Sequence, residues 1–214
     1  MKDSYRHKGL RQKLIDSLRE KGIRDENVLD AMNRVPRHLF MDSGFLNHSY
    51  TDKAFPIASG QTISQPYTVA FQTELLETEK HQKVLEVGTG SGYQTAVLLE
   101  MGVRVFTIER IRELYLQARD QLQSMGYKPG FYYGDGYEGL PAFAPFDRIL
   151  VTAGAGKVPE KLLEQLAVGG RMVIPVGDRF GQKMLLIEKE KDGKVKKSEH
   201  GHFSFVPLVQ GKSK

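Results

Sequence analysis

Val84-Leu85-Glu86-Val87-Gly88-Thr89-Gly90-Ser91-Gly92-Tyr93 is a short apolar run that breaks into a ladder of glycines. A buried strand that ends in Gly-x-Gly-x-Gly, with a helical pattern after it, forms a cofactor cradle. Glycines there let the backbone turn sharply and let a ligand approach main-chain atoms that side chains would otherwise cover. A nucleoside-containing cofactor is expected at this loop, and the flanking sequence has to say which one.

Downstream of Lys83 the pattern alternates. Strands are expected at 84–87, 103–108, 131–133, 148–152 and 172–176, with helices at 93–101, 111–125 and 159–166 between them. Strands alternating with helices predict a mostly parallel, doubly wound Rossmann-like α/β sheet covered on both faces. Residues 183–190 and 202–207 then follow without a helix, joined at Asp192-Gly193, and predict an antiparallel C-terminal strand pair. Upstream, Leu10, Leu14, Ile15 and Leu18 have amphipathic spacing, Gly22 is placed to end that helix, and Asp25 is a candidate N-cap for the next. Residues 38–64 lack a sustained period and read as long loops. Residues 66–79 read as helix again. One domain over 1–214 is expected, with 1–80 an N-terminal helical and loop extension and 81–214 the cofactor-binding core.

The 214 residues carry no cysteine, which excludes disulfides, Cys-ligated zinc and thiol nucleophiles. No apolar run reaches the roughly 20 residues of a membrane span. The polar start lacks a signal-peptide core, so a cytoplasmic location without membrane partners is expected. The net charge of +5 arises entirely in 179–214, with nine Lys/Arg against four Asp/Glu; 1–178 is balanced. A basic cluster around one turn reads as a solvated hairpin tip, and no nucleic-acid partner is expected.

A dinucleotide, a nucleoside triphosphate and S-adenosylmethionine all fit a glycine loop after a first strand. A P-loop needs Gly-Lys-Ser/Thr, and no lysine follows Lys83 in this loop. The dinucleotide fingerprint wants glycine where Tyr93 stands. Glu109 ends the second strand, where an acid can meet ribose hydroxyls. Asp135, between Gly134 and Gly136 after the third strand, can meet an adenine amino group. Alone, each is equally a surface acid or a turn residue. In order at successive strand ends, where such sheets bind ligands, they favour the methyl donor.

Residues 85–96 resemble the first motif of class I methyltransferases and, more narrowly, the protein-L-isoaspartate (D-aspartate) O-methyltransferase family. Gly60-Gln61-Thr62-Ile63-Ser64-Gln65-Pro66-Tyr67, Gly134-Asp135-Gly136, Ala144-Pro145-Phe146-Asp147, residues 169–177 and Phe205-Val206-Pro207-Leu208 extend the resemblance over roughly 35–208. It implies S-adenosyl-L-methionine bound by Gln61, Thr62, Ile63, Gly88, Gly90, Gly92, Glu109, Asp135 and Gly136. It also implies Ser64 as the active-site serine and a substrate segment at Val206, Pro207 and Leu208. The implied reaction methylates the α-carboxyl of L-isoaspartyl residues in damaged proteins and peptides. The ester then collapses to a succinimide that hydrolyses partly to aspartate. A monomer is expected.

The residues are compatible with that chemistry. A carboxylate has a pKa near ~4, so at neutral pH it is already a nucleophile and needs positioning, not a base. The six histidines are scattered without metal-ligand spacing, so no metal is expected and each reads as structural or surface. Ser64 has a competing role as helix N-cap ahead of Pro66. The rivals are a small-molecule or RNA methyltransferase on the same cofactor fold. Exocyclic-amine methylation usually uses an Asn/Asp-Pro-Pro-aromatic motif after strand four, where this chain has Val151-Thr152-Ala153-Gly154. Cytosine C5 chemistry needs a cysteine.

Overall fold

A computed structural model of the chain describes residues 3–178 and 180–213. The chain begins with α1 (Tyr5–Glu20) and α2 (Glu26–Arg34), each started by a short polar residue. The Ser4 hydroxyl accepts from the His7 amide, and the Asp25 carboxylate accepts from the amides of Asn27 and Val28. Their apolar faces, Leu14, Ile15 and Leu18 on one and Val28, Leu29 and Met32 on the other, are buried in one cluster.

The stretch expected to be long loops is more ordered than its sequence suggests. It holds 3₁₀ turns at Arg37–Phe40, Ser43–His48 and Ala58–Gly60, and two-residue strands β1 (Phe55–Pro56) and β2 (Thr62–Ile63). Those strands pair antiparallel, with Phe55 opposite Ile63. Turns this short never complete a helical or strand period, so periodicity is blind to them. Helix α3 (Pro66–Leu76) follows, with proline in its first turn.

The α/β core then runs β3 (Lys83–Val87), α4 (Tyr93–Glu100), β4 (Arg104–Glu109), α5 (Arg112–Ser124), β5 (Gly130–Tyr133), β6 (Phe146–Val151), α6 (Glu160–Gln165), β7 (Leu166–Asp178), β8 (Gly181–Lys189) and β9 (Val195–Phe203). One seven-stranded sheet has the order β5-β4-β3-β6-β7-β8-β9. Pairing is parallel from β5 through β7 and antiparallel for β7–β8 and β8–β9. This is the expected doubly wound, mostly parallel sheet with an antiparallel end.

Period-two alternation divides the core. Leu85, Val87, Ile149, Val151, Met172 and Ile174 point to the face that carries Leu162 of α6. Val84, Leu150 and Val173 point to the opposite face, against Leu76 of α3 and Leu98 of α4. The chain steps from β3 outward to β4 and β5, then returns to β6 on the other side of β3. That reversal is the topological switch point, and it opens a crevice at the carboxyl ends of β3 and β6.

Two expectations at the C-terminal end need correction. Strand β7 begins at Leu166, and the ladder to β6 skips from Phe146–Leu166 to Arg148–Arg171, so residues 167–170 bulge out at Gly169-Gly170. The second hairpin strand is Val195–Phe203, not 202–207. As the sheet edge it is largely exposed, so its Lys196-Lys197-Ser198-Glu199 run carries no apolar alternation to read. Among the described residues, no helix is long and apolar enough to cross a membrane.

Candidate active site

Three segments converge on the switch point: the glycine loop after β3, the Gln61–Ser64 block, and residues 206–209. Together they line a cleft that opens to solvent at its mouth.

The floor is bare backbone. Gly88 has φ +97°, and a Cβ there would lie 2.5 Å from Thr152 Oγ1. The Thr152 hydroxyl is 2.7 Å from the Gly88 carbonyl and 3.0 Å from that of Val87, tying the loop to the end of β6. At Gly136 a Cβ would come within 2.6 Å of Val87 Cγ1. At the end of β4, Glu109 accepts from the Gly90 amide at 3.0 Å and the Ile111 amide at 2.9 Å. Both oxygens retain lone pairs for a ligand hydroxyl. Apolar walls come from Ile63, Ile108, Ile111 and Leu114. A bare floor, an oriented acid and greasy walls fit an adenosine-bearing donor.

Gln61, Thr62, Ile63, Ser64, Gly88, Gly90, Glu109, Gly136, Val206, Pro207 and Leu208 all line this cleft. Gly92 and Asp135 do not. Gly92 is the left-handed N-cap of α4, and a Cβ on it would lie 2.9 Å from Leu122 Cδ1 of α5. Its lack of a side chain lets α5 approach. Asp135 accepts from the amides of Tyr137 at 2.9 Å and Gly211 at 2.7 Å, so it anchors the C-terminal tail.

That tail crosses the carboxyl edge of the sheet. Gly154 donates to Val206 O and accepts from the Leu208 amide, and the Ser213 amide donates to Arg110 O. Tail residues thereby touch the ends of β6, β5 and β4 in turn. Pro207, which has no N–H to give a ladder, sits between the two Gly154 bonds.

A second, broader cleft adjoins the first. Its walls include Tyr67, Phe71, Phe203 and Phe205, with His200 and His202 at the β9 edge. Thr62, Ser64, Thr152 and Val206 line both clefts. The Ser64 hydroxyl has no hydrogen-bond partner among the described residues. It is not the helix cap: Gln65 occupies the N-cap position of α3, and Asp52 Oδ1 takes the Tyr67 amide at 2.8 Å. Among the described residues, a free hydroxyl thus stands on the wall that the two clefts share, beside the glycine loop's tether to β6.

Beneath the floor, Glu86 is fully buried and bonded to the Thr95 hydroxyl, and burial pushes its pKa up to about 7. Tyr93 lines the first cleft and lies under the Arg37 guanidinium, 4.9 Å from ring centroid to Cζ. Burial lowers Arg37 to about 10 and raises Tyr93 to about 12. Thr152 is one of the lining residues that sequence reasoning missed. Its signal was its place directly after the fully apolar run Ile149-Leu150-Val151, on the strand facing β3 across the switch point.

Fold and cleft define a Rossmann-type, class I methyltransferase. The family model for protein-L-isoaspartate(D-aspartate) O-methyltransferase matches residues 9–213, and the chain belongs to that family. It is 63% identical to the protein-L-isoaspartate O-methyltransferase of Cytophaga hutchinsonii, over 98% of this chain and 95% of the relative. It is 58% identical to that of Christiangramia forsetii over the full length of both. Among solved structures, a protein-L-isoaspartate O-methyltransferase superposes with a TM-score of 0.85 at 29% identity, covering 94% of this chain and 67% of the other. A Plasmodium falciparum chain in complex with S-adenosyl-L-homocysteine superposes with a TM-score of 0.78 at 25% identity, covering 92% and 97%.

Proposed function

We propose that this chain methylates the α-carboxyl of L-isoaspartyl residues in damaged proteins and peptides, with S-adenosyl-L-methionine as donor. The observation that carries the reading is the pair of clefts sharing Ser64, Thr62, Thr152 and Val206. One cleft is built for a nucleoside; the other, wider and aromatic, suits an extended peptide.

The donor, when bound, supplies a sulfonium methyl: a carboxylate oxygen lone pair forms the new C–O bond while the S–C pair stays on sulfur, leaving S-adenosyl-L-homocysteine. Glu109 would hold the ribose end, with Gly88, Gly90 and Gly136 lending backbone and Gln61, Thr62 and Ile63 closing the near wall. The Ser64 hydroxyl would donate to the substrate carboxylate and aim one oxygen across the shared wall. Val206, Pro207 and Leu208 would run beside the peptide. No side chain needs to take a proton, because the carboxylate arrives ionised. Gly92 and Asp135 enter this reading as residues that shape the cradle and its tail. The reading takes the chain to be a cytoplasmic monomer, one methyltransferase domain whose partners are the damaged proteins.

The test incubates the protein with methyl-labelled donor and matched peptides that differ only in aspartate or isoaspartate. Label is expected on the isoaspartyl peptide, in base-labile ester form. Equal labelling of the two peptides, or of neither, overturns the reading.

A further inference from the structure

Three polar side chains with no part in the reading above lie buried where α3 meets α4 and β6. They are Gln72 and Thr73 of α3 and Gln94 of α4. Gln72 Nε2 donates to the Val151 carbonyl at 3.1 Å, at the carboxyl end of β6. Gln94 Nε2 donates to Thr73 Oγ1 at 3.0 Å. Consecutive residues of one helix are thereby tied to two neighbours of the glycine loop. One is α4, into which the loop leads; the other is β6, whose next residue, Thr152, tethers the loop at Gly88.

The bonds also decide which way the Gln94 amide points. The Thr73 hydroxyl gives its one hydrogen to the Val69 carbonyl at 2.7 Å, so toward Gln94 it can only accept. The amide nitrogen therefore faces Thr73, and the buried amide oxygen has no partner among the described residues. Folds rarely leave such an atom unpaired. Methionine, of nearly the same length, would fill the place with no unpaired atom, so stability does not explain a glutamine here. What the amide supplies is direction. An apolar contact lets a helix slide or turn, whereas a buried hydrogen bond has one register.

That register bears on the site. Gln94 and Val69 both line the first cleft. Ser64 precedes the first residue of α3 by two positions, at most about 7 Å of chain. Asp52 also holds the start of α3, through the Tyr67 amide and the Gln65 side chain, but it stands in the bend before β1 and is not part of the cleft wall. We propose that Gln94 is a positioning residue for methyl transfer: its bond to Thr73 sets α3 against α4 and so places the Ser64 hydroxyl relative to the donor. The proposal rests on the role given to Ser64 above.

The test compares Gln94→Met, Thr73→Ser, Thr73→Val and the double variant Gln94→Met/Thr73→Val in the full chain. Gln94→Met should lower kcat on an isoaspartyl peptide about tenfold or more. Peptide KM and donor affinity by calorimetry should hold, and Tm should hold or rise. Thr73→Ser keeps the hydroxyl and should keep kcat. Thr73→Val should match Gln94→Met, and the double variant should lose no more than either alone, as members of one bond do. A second readout needs no substrate: amides in the first turns of α3 should exchange faster in Gln94→Met at equal Tm. Unchanged kcat in Gln94→Met, losses that multiply in the double variant, or a kcat loss that only tracks a fall in Tm overturns the proposal. A wild-type protein that methylates no isoaspartyl peptide overturns the functional reading instead, and the exchange readout then decides whether Gln94 sets the register.

Discussion

The Gly90 amide donates to Glu109 Oε2 at 3.0 Å, joining the glycine loop after β3 to the acid that ends β4. The second oxygen takes the Ile111 amide at 2.9 Å, so the carboxylate is clamped at both ends before any ligand enters. Clamping fixes which lone pairs face the cleft, and an acceptor held in place loses little entropy on binding a ribose. Glu109 thus organises the loop while it lines the cleft with lone pairs to spare.

Glu109→Gln follows directly. The amide keeps the shape but turns one acceptor into a donor, which must face either the Gly90 or the Ile111 N–H. A charge-assisted hydrogen bond contributes about 1.5–3 kcal/mol. Donor affinity should fall about tenfold or more by calorimetry, with the loop amides of 88–92 exchanging faster. Unchanged affinity would show that Glu109 does not meet the donor.

Ser64→Ala separates chemistry from folding. The hydroxyl faces both clefts, and the cap of α3 belongs to Gln65 with the Asp52 carboxylate on the Tyr67 amide. Turnover on an isoaspartyl peptide should drop about tenfold to a hundredfold, while donor affinity and Tm hold. Asp52→Ala should do the reverse, costing about 1 kcal/mol of stability as a lost N-cap does. A Tm loss in Ser64→Ala with turnover intact would return the serine to a capping role.

Glu86 sets a pH dependence. Burial raises its folded pKa from 4.5 to about 7, so the folded state holds the proton longer than the unfolded chain does. Stability is therefore full below pH 4.5 and declines as pH rises toward about 7, beyond which it is level. The decline has an upper bound of about 3 kcal/mol. Glu86→Gln should flatten the Tm-against-pH curve over that window and be the more stable protein at pH 8. A difference curve that is flat throughout would mean that the carboxylate is ionised inside the fold.

Strand β6 was legible because a strand buried on both faces reads as a near-continuous apolar run, as Ile149-Leu150-Val151 does; β3 was legible from Val84, Leu85 and Val87 ahead of the glycines, and Glu109 marks the carboxyl end of β4. The Gln61–Ser64 block was legible by resemblance alone. What stayed hidden depends on contacts across long stretches of chain. Asp52 serves a helix that starts at Pro66, and His7 meets His38 through the packing of α1 on the turn after α2. The edge strand β9 was misplaced because water on its surface removes the apolar signal. Gly92 read as part of a ligand loop, yet the group that needs its bare backbone is Leu122 on the next helix.

Asp135 gives the prediction that best divides the two roles a single acid can hold here. As read from sequence it meets the donor's adenine. In the fold its Oδ2 takes the Gly211 amide at 2.7 Å and its Oδ1 the Tyr137 amide at 2.9 Å, while the tail is further tied by Gly154 and Arg110. Removing the carboxylate frees the tail where it crosses β5 but leaves the Gly154 bonds to Val206 and Leu208 in place. Asp135→Ala should thus loosen residues 209–213 first, seen as faster amide exchange there. The peptide KM should rise about tenfold, because the neighbouring Val206–Leu208 segment loses its outer anchor, a cost on the order of one charge-assisted hydrogen bond. An adenine contact would add a matching loss of donor affinity. If donor affinity alone falls, with exchange and peptide KM unchanged, the tail does not depend on this acid and the anchoring role is wrong.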